Sequence, residues 1–72
     1  GIRVNIVSPG LTDTKLMKES TSSEGMSDYL SASAFGAIAD PSDVAHVVSF
    51  LLGSKSKFVT CQNVSVDGGA RL

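Results

Sequence analysis

The stretch Ser8-Pro9-Gly10-Leu11-Thr12-Asp13-Thr14 is the best place in this chain to look for chemistry. It follows a run of β-branched residues, and in open α/β sheets ligands bind just outside the carboxyl ends of the strands. A Pro-Gly turn at such a point presents bare backbone groups to a flat ring, with no side chain in the way. The same turn also reads as an ordinary strand terminator, since proline has no amide to give to a ladder and glycine accepts unusual dihedrals. Local chemistry alone leaves both readings open. The other reactive groups are isolated. His46, the single histidine, falls on the polar face of a helical pattern and reads as a solvated surface residue. Cys61, the single cysteine, lacks the base and cationic surroundings that make a nucleophile, so it reads as a buried structural thiol. The seven acidic residues are scattered, with none paired at metal-ligand spacing. No catalytic residue and no metal ligand is assigned.

The elements that must position Ser8 to Thr14 follow from pattern. Ile2 to Val7 is nearly continuous β-branched sequence, broken by Arg3 and Asn5, and reads as a strand buried on both faces, as in a parallel sheet. Asp13 or Thr14 would cap a short helix through Glu19. Thr21-x-x-Glu24 has the form of a capping box. Met26, Tyr29, Leu30, Ser33 and Ala34 follow at helical spacing, weakened by Gly25 and several serines. Residues 15–39 therefore read as a mobile helical loop rather than a core element. Asp40-Pro41-Ser42-Asp43 is a strong helix start: Asp40 caps, Pro41 suits the first helical position, and Asp43 faces the positive helix end. Val44, Val47, Val48, Leu51 and Leu52 form an apolar stripe, and Gly53 is a natural stop. Phe50 suits either the flank of the core or a subunit contact. Tyr29 suits either packing or the mouth of a substrate site. Ser54 to Phe58 is a polar connection, Val59 to Cys61 returns inward, and Asn63 to Asp67 is a second strand. Two parallel strands separated by helices form a right-handed crossover. Asp67 should fix the turn before Gly68-Gly69.

Composition bounds the function classes. Seventy-two residues allow at most one small domain. Two strands with helices on one side leave unpaired sheet edges, so the pattern suits a segment that packs against a larger partner. The chain opens on glycine, directly at a core strand, which suggests a sequence that starts mid-gene. Six basic and seven acidic residues, with no basic run, argue against nucleic acid as a partner. No apolar run approaches the roughly 20 residues needed to span a membrane, and nothing resembles a signal peptide. The lone cysteine favours a reduced, cytoplasmic setting over a secreted disulfide scaffold.

Taken as a set, several motifs are specific. Arg3-Val4-Asn5 followed by Ser8-Pro9-Gly10, then Asp40-Pro41-Ser42-Asp43-Val44-Ala45, Phe50-Leu51, Val59-Thr60 with Gln62, and Val66-Asp67-Gly68-Gly69 span nearly the whole chain. In this order they resemble the C-terminal part of the short-chain dehydrogenase/reductase family. The resemblance implies the final part of a Rossmann-type three-layer α/β domain: two parallel strands with intervening helices, in an incomplete sheet. It divides the chain into residues 1–14, strand and nicotinamide-side turn; 15–39, substrate loop; 40–53, helix; and 59–72, final strand and tail. It also implies NAD or NADP as cofactor of the intact parent, a small carbonyl or alcohol substrate, and a homo-oligomer. Pro9 and Gly10 would contact the nicotinamide face. Thr12 would offer backbone groups to the carboxamide, and Thr14 its hydroxyl to the carboxamide or pyrophosphate. Three positions depart from the pattern. Thr12 stands where an aliphatic residue is usual, Ala37 where an arginine is common, and Cys61 where a glycine is usual. The glycine-rich dinucleotide fingerprint and the family's Tyr-x-x-x-Lys are missing, since Tyr29 is followed by Ser33 at the fourth position. The expected role is therefore a piece of an oxidoreductase, inactive alone. The alternatives are a non-catalytic segment that associates with a full-length relative, or a non-functional remnant.

Overall fold

In the computed structural model, which describes residues 1–70, strand β1 (Ile6–Pro9) pairs in parallel with β2 (Asn63–Val66). The register sets Ile6 opposite Asn63 and Pro9 opposite Val66. Between the strands run α1 (Lys15–Ser20), α2 (Ser23–Ala32) and α3 (Pro41–Leu52), then one 3-10 turn at Ser54–Ser56. This is the expected α/β order, in a sheet of two strands among the described residues. Residues 71 and 72 of the expected tail lie outside the described residues.

Helix α3 forms where its local signals place it. The Asp40 side chain accepts from the Ser42 N–H at 3.0 Å, and Asp43 accepts from the Asp40 N–H at 2.9 Å, closing a reciprocal capping box. Asp40 also accepts from the Ser42 hydroxyl. These bonds favour the carboxylate and hold Asp40 below its ordinary value of 3.8, with a smaller contribution from the charge of His46. At the other end, distant residues take up the free carbonyls. Arg3 donates to Leu51 O at 3.0 Å, Gly53 O at 3.3 Å and Val59 O at 3.0 Å. The Ser56 hydroxyl, in a residue only 1% exposed, lies 2.8 Å from Phe50 O and 3.0 Å from both Leu51 O and Gly53 O. A cation and a buried hydroxyl therefore complete a helix end that has no internal donors left.

Five expectations change. The first strand is shorter and later than Ile2 to Val7, and it takes in Ser8 and Pro9. Residues 3–5 face a turn rather than a ladder. Cys61 N–H donates to Val4 O at 2.8 Å, Val4 N–H to the Thr60 hydroxyl at 3.2 Å, and Asn5 holds Val59 and Gln62 through its side chain. Nor is the strand covered on both faces. Ile2, Val4 and Ile6, which alternate onto one face, are 92%, 66% and 58% exposed, because α3 packs on the other. The α3 stripe is likewise half covered: Leu51 is buried while Val48 and Leu52 face outward. The capping box at Thr21 does not form. Ser22 caps α2 by accepting from the Gly25 N–H, and Thr21 ends α1. Finally, residues 15–39 carry buried apolar side chains after all, since Met17 and Tyr29 are 7% and 4% exposed.

The chain is drawn out, at 45 × 23 × 15 Å with a radius of gyration of 14.0 Å. A compact 72-residue domain would have about 11 Å. The described residues do not wrap a core on all sides, and the uncovered sheet face is the reason.

Candidate functional site

The carboxyl end of β1 leads directly into α1, and each step is tied down. Gly10 N–H donates to Val66 O at 2.9 Å, which seats the turn on the end of β2. The Thr12 hydroxyl donates to Gly10 O at 3.1 Å. Beyond the sheet, Ala39 N–H donates to Leu11 O at 3.0 Å and Asp13 N–H to Ala39 O at 2.7 Å, a parallel bridge centred on Thr12 and Ala39. Both bonds belong to Thr12's neighbours, so its own N–H and C=O take no part in them. The Thr14 side chain accepts from Met17 N–H at 3.1 Å and caps α1. That cap uses one acceptor site of the hydroxyl, whose proton is left to donate.

Gly10, Leu11, Thr12, Thr14, Leu16 and Met17 all line one shallow groove of about 230 Å³. Three of the four expected binding residues, Gly10, Thr12 and Thr14, thus come together. Pro9 does not line this groove; it is the exposed last residue of β1, opposite Val66. Ser20 and Thr21 complete the lining, and its polar groups include the backbone N–H and C=O of Thr12 and the hydroxyl proton of Thr14. A planar primary amide, with one acceptor and one NH₂ donor, matches that set. The nearest ion pair, Lys18 to Asp13 at 3.2 Å, is largely solvated and contributes little. Among the described residues no cluster of three or more His, Cys, Asp or Glu could hold a metal. A larger groove of about 490 Å³ lies at the other end of β1 beside Arg3, Val7 and Leu51. Its cation, Arg3, is already engaged with three carbonyls.

Two readings of single residues are revised. A side chain at Gly10 would not project toward a ligand; its Cβ would overlap the Tyr29 hydroxyl and come within 2.9 Å of Asp67 Cβ. Glycine stands there to admit Tyr29, which is 4% exposed and donates to Asp67 O at 2.9 Å. Tyr29 is thereby a packing residue. Cys61 is exposed, not a buried thiol, and has φ of 61°. A left-handed residue in the turn before β2 explains why glycine is the better choice at that position. Asp67 behaves as expected: its carboxylate accepts from Gly69 N–H at 3.0 Å and fixes the turn. His46 is exposed on α3. The roles of Arg3 and Tyr29 had no signal in their own neighbourhoods, because their partners lie far along the chain, while Ser56 reaches back three, five and six residues to Gly53, Leu51 and Phe50.

Known proteins share this fold. The family model described as enoyl-(acyl carrier protein) reductase matches residues 1–71. The 3-oxoacyl-(acyl-carrier-protein) reductase FabG of Aggregatibacter actinomycetemcomitans is 41% identical over 68 residues, which is 94% of this chain and 27% of that protein. The chain thus spans about a quarter of the length of such relatives. Among solved structures, a 3-oxoacyl-(acyl-carrier-protein) reductase from Brucella melitensis superposes with a TM-score of 0.87 at 31% identity, over 99% of this chain and 26% of that one. A 4-hydroxyisoleucine dehydrogenase complexed with NADH superposes with a TM-score of 0.83 at 32% identity, over 94% of this chain and 28% of that one. Strand order, terminal turn and matched length together establish that the chain belongs to the short-chain dehydrogenase/reductase family.

Proposed function

We propose that this chain forms the nicotinamide-side wall of an oxidoreductase that moves a hydride between NAD or NADP and a small carbonyl or alcohol substrate. The observation that carries the reading is the convergence of Gly10, Thr12 and Thr14 in one groove at the carboxyl end of a parallel strand. That is where α/β sheets take their ligands. The bound cofactor would supply the hydride chemistry. This chain's residues would bind and orient it: Thr12 through its backbone N–H and C=O toward the carboxamide, and Thr14 through its hydroxyl proton. Pro9 and Gly10 would border the ring, Gly10 through backbone alone. Residues 15 to 35, with α1 and α2, would cover the substrate. The exposed Val48, Phe50 and Leu52 on α3 would face another subunit of a homo-oligomer. Proton transfer would fall to residues outside this chain, which offers no Tyr-x-x-x-Lys, so the 72-residue chain would be inactive alone. The lone cysteine fits a reduced, cytoplasmic setting.

A second reading, a non-catalytic segment that docks on a full-length relative, draws on the bare face of Ile2, Val4 and Ile6. One experiment separates the two readings, and a second tests whether the chain catalyses alone. The coding sequence upstream of Gly1 should continue in frame and contain Tyr-x-x-x-Lys; a start codon directly before Gly1 favours the docking segment. Purified 72-residue chain should give no NADH or NADPH oxidation with ketones. Turnover that follows the pure chain, and falls with Thr14→Val, would refute the division of labour proposed here.

A further inference from the structure

Tyr29 is a buried group that the proposed chemistry leaves without a role. It sits on α2, outside both strands, and its hydroxyl donates to the backbone carbonyl of Asp67 at the end of β2. The same oxygen fills the space beside Gly10 that any Cβ would need. One phenol therefore bears on the carboxyl ends of both strands. A second clasp lies just beyond. The Ser33 hydroxyl donates to Gly68 O at 3.0 Å, Phe35 N–H to the same oxygen at 2.9 Å, and Ala34 N–H to Gly69 O at 3.2 Å. Gly68 and Gly69 reach these partners with φ of 61° and 77°. That second clasp is mostly backbone and is open to many sequences. The first depends on a single side-chain oxygen.

We propose that Tyr29 is a positioning residue for the groove at Gly10 to Thr14. Its hydroxyl ties α2 to Asp67 and backs the Gly10 turn, so that Gly10, Thr12 and Thr14 keep one geometry toward the nicotinamide. This rests on the cofactor reading above and adds to it the element that controls the site, the seating of α2. Tyr29 is not among the residues that line the groove; it acts through Gly10 and through α1. Helix α1 supplies Leu16 and Met17 to the groove wall and is joined to α2 by Thr21 and Ser22 alone. An unseated α2 would carry α1, and with it the Thr14 cap, away from the groove.

Phenylalanine keeps the ring's packing and removes the oxygen, so it isolates the contact. The test uses the intact enzyme that carries this segment, with NADH or NADPH bound for exchange measurements. Tyr29→Phe should speed amide exchange at Gly10 and Phe35 by about 5- to 100-fold, the effect of stripping a half-buried carbonyl of its partner. It should raise KM for the nucleotide by about 5-fold or more while kcat stays within about 2-fold. Gly10→Ala, which wedges against the same oxygen, should do likewise. Tyr29→Phe should then partly rescue Gly10→Ala, since the two variants share one contact. Unchanged exchange in Tyr29→Phe overturns the proposal, as do strictly additive effects of the two variants. Faster exchange with an unmoved KM, while Thr14→Val still raises KM, also overturns it but spares the cofactor reading. A KM indifferent to Thr14→Val as well sinks the cofactor reading itself.

Discussion

Thr14 holds two jobs in one hydroxyl, and a small set of substitutions separates them. As an acceptor it caps α1 through Met17 N–H at 3.1 Å. Losing such a cap costs about 0.5–2 kcal/mol of stability. As a donor it is proposed to bond the carboxamide, a neutral hydrogen bond worth about 0.5–1.5 kcal/mol. At about 1.4 kcal/mol per tenfold, that is roughly a 2- to 12-fold rise in KM for the nucleotide. We predict that Thr14→Val in the intact enzyme shows both losses, a lower melting temperature and a raised KM. Thr14→Ser keeps acceptor and donor and should be near wild type on both. Thr14→Asp keeps the acceptor, and its charge suits a helix N-terminus, but it has no proton to give. It should melt like wild type and raise KM at least as much as valine. His46→Gln is the control, since that side chain is exposed on α3 and does not line the groove. The assay is steady-state kinetics against NADH and NADPH beside a thermal melt of each variant. If Thr14→Val lowers the melting temperature but leaves KM unmoved, the hydroxyl is a cap and nothing more.

Further predictions concern what holds the segment together. Cys61→Gly should stabilise the protein by about 1 kcal/mol, because φ of 61° strains any residue with a Cβ and glycine relieves it at some entropic cost; chemical denaturation reads this, and a loss of stability would contradict it. Ser56→Ala should destabilise by about 1–3 kcal/mol, since it strips the donor from carbonyls at the buried end of α3; an unchanged urea midpoint would show that water replaces the hydroxyl. Asp40 is ionised more readily in the folded chain than its ordinary value of 3.8, so its stabilisation is complete above that pH and is lost as pH falls through the lower folded value. Asp40→Asn keeps an N-cap acceptor without that titration, so its stability should fall less than wild type between pH 5 and pH 2; parallel acid limbs would assign the loss to other carboxylates.

Elements whose causes are local were legible in the sequence. Helix α3 begins and ends where Asp40-Pro41-Ser42-Asp43 and Gly53 put it, because capping bonds join residues two or three apart. The turn at Asp67-Gly68-Gly69 is local in the same way, an Asx bond from Gly69 N–H back to Asp67. The order of strand, helices and strand also followed from pattern, and with it the parallel pairing. Tertiary structure decided the rest. Arg3 and Asn5 look like interruptions of a strand, yet Arg3 closes α3 and Asn5 pins the turn before β2, through contacts more than 45 residues away in sequence. Gly10 looks like an opening for a ligand, and its missing side chain is instead the space that Tyr29 fills from α2. Cys61 looks apolar enough to bury, but a left-handed turn points it at solvent. In each case the residue's own neighbours carry no trace of the cause, because the partner arrives only when the chain crosses over and brings β2 beside β1.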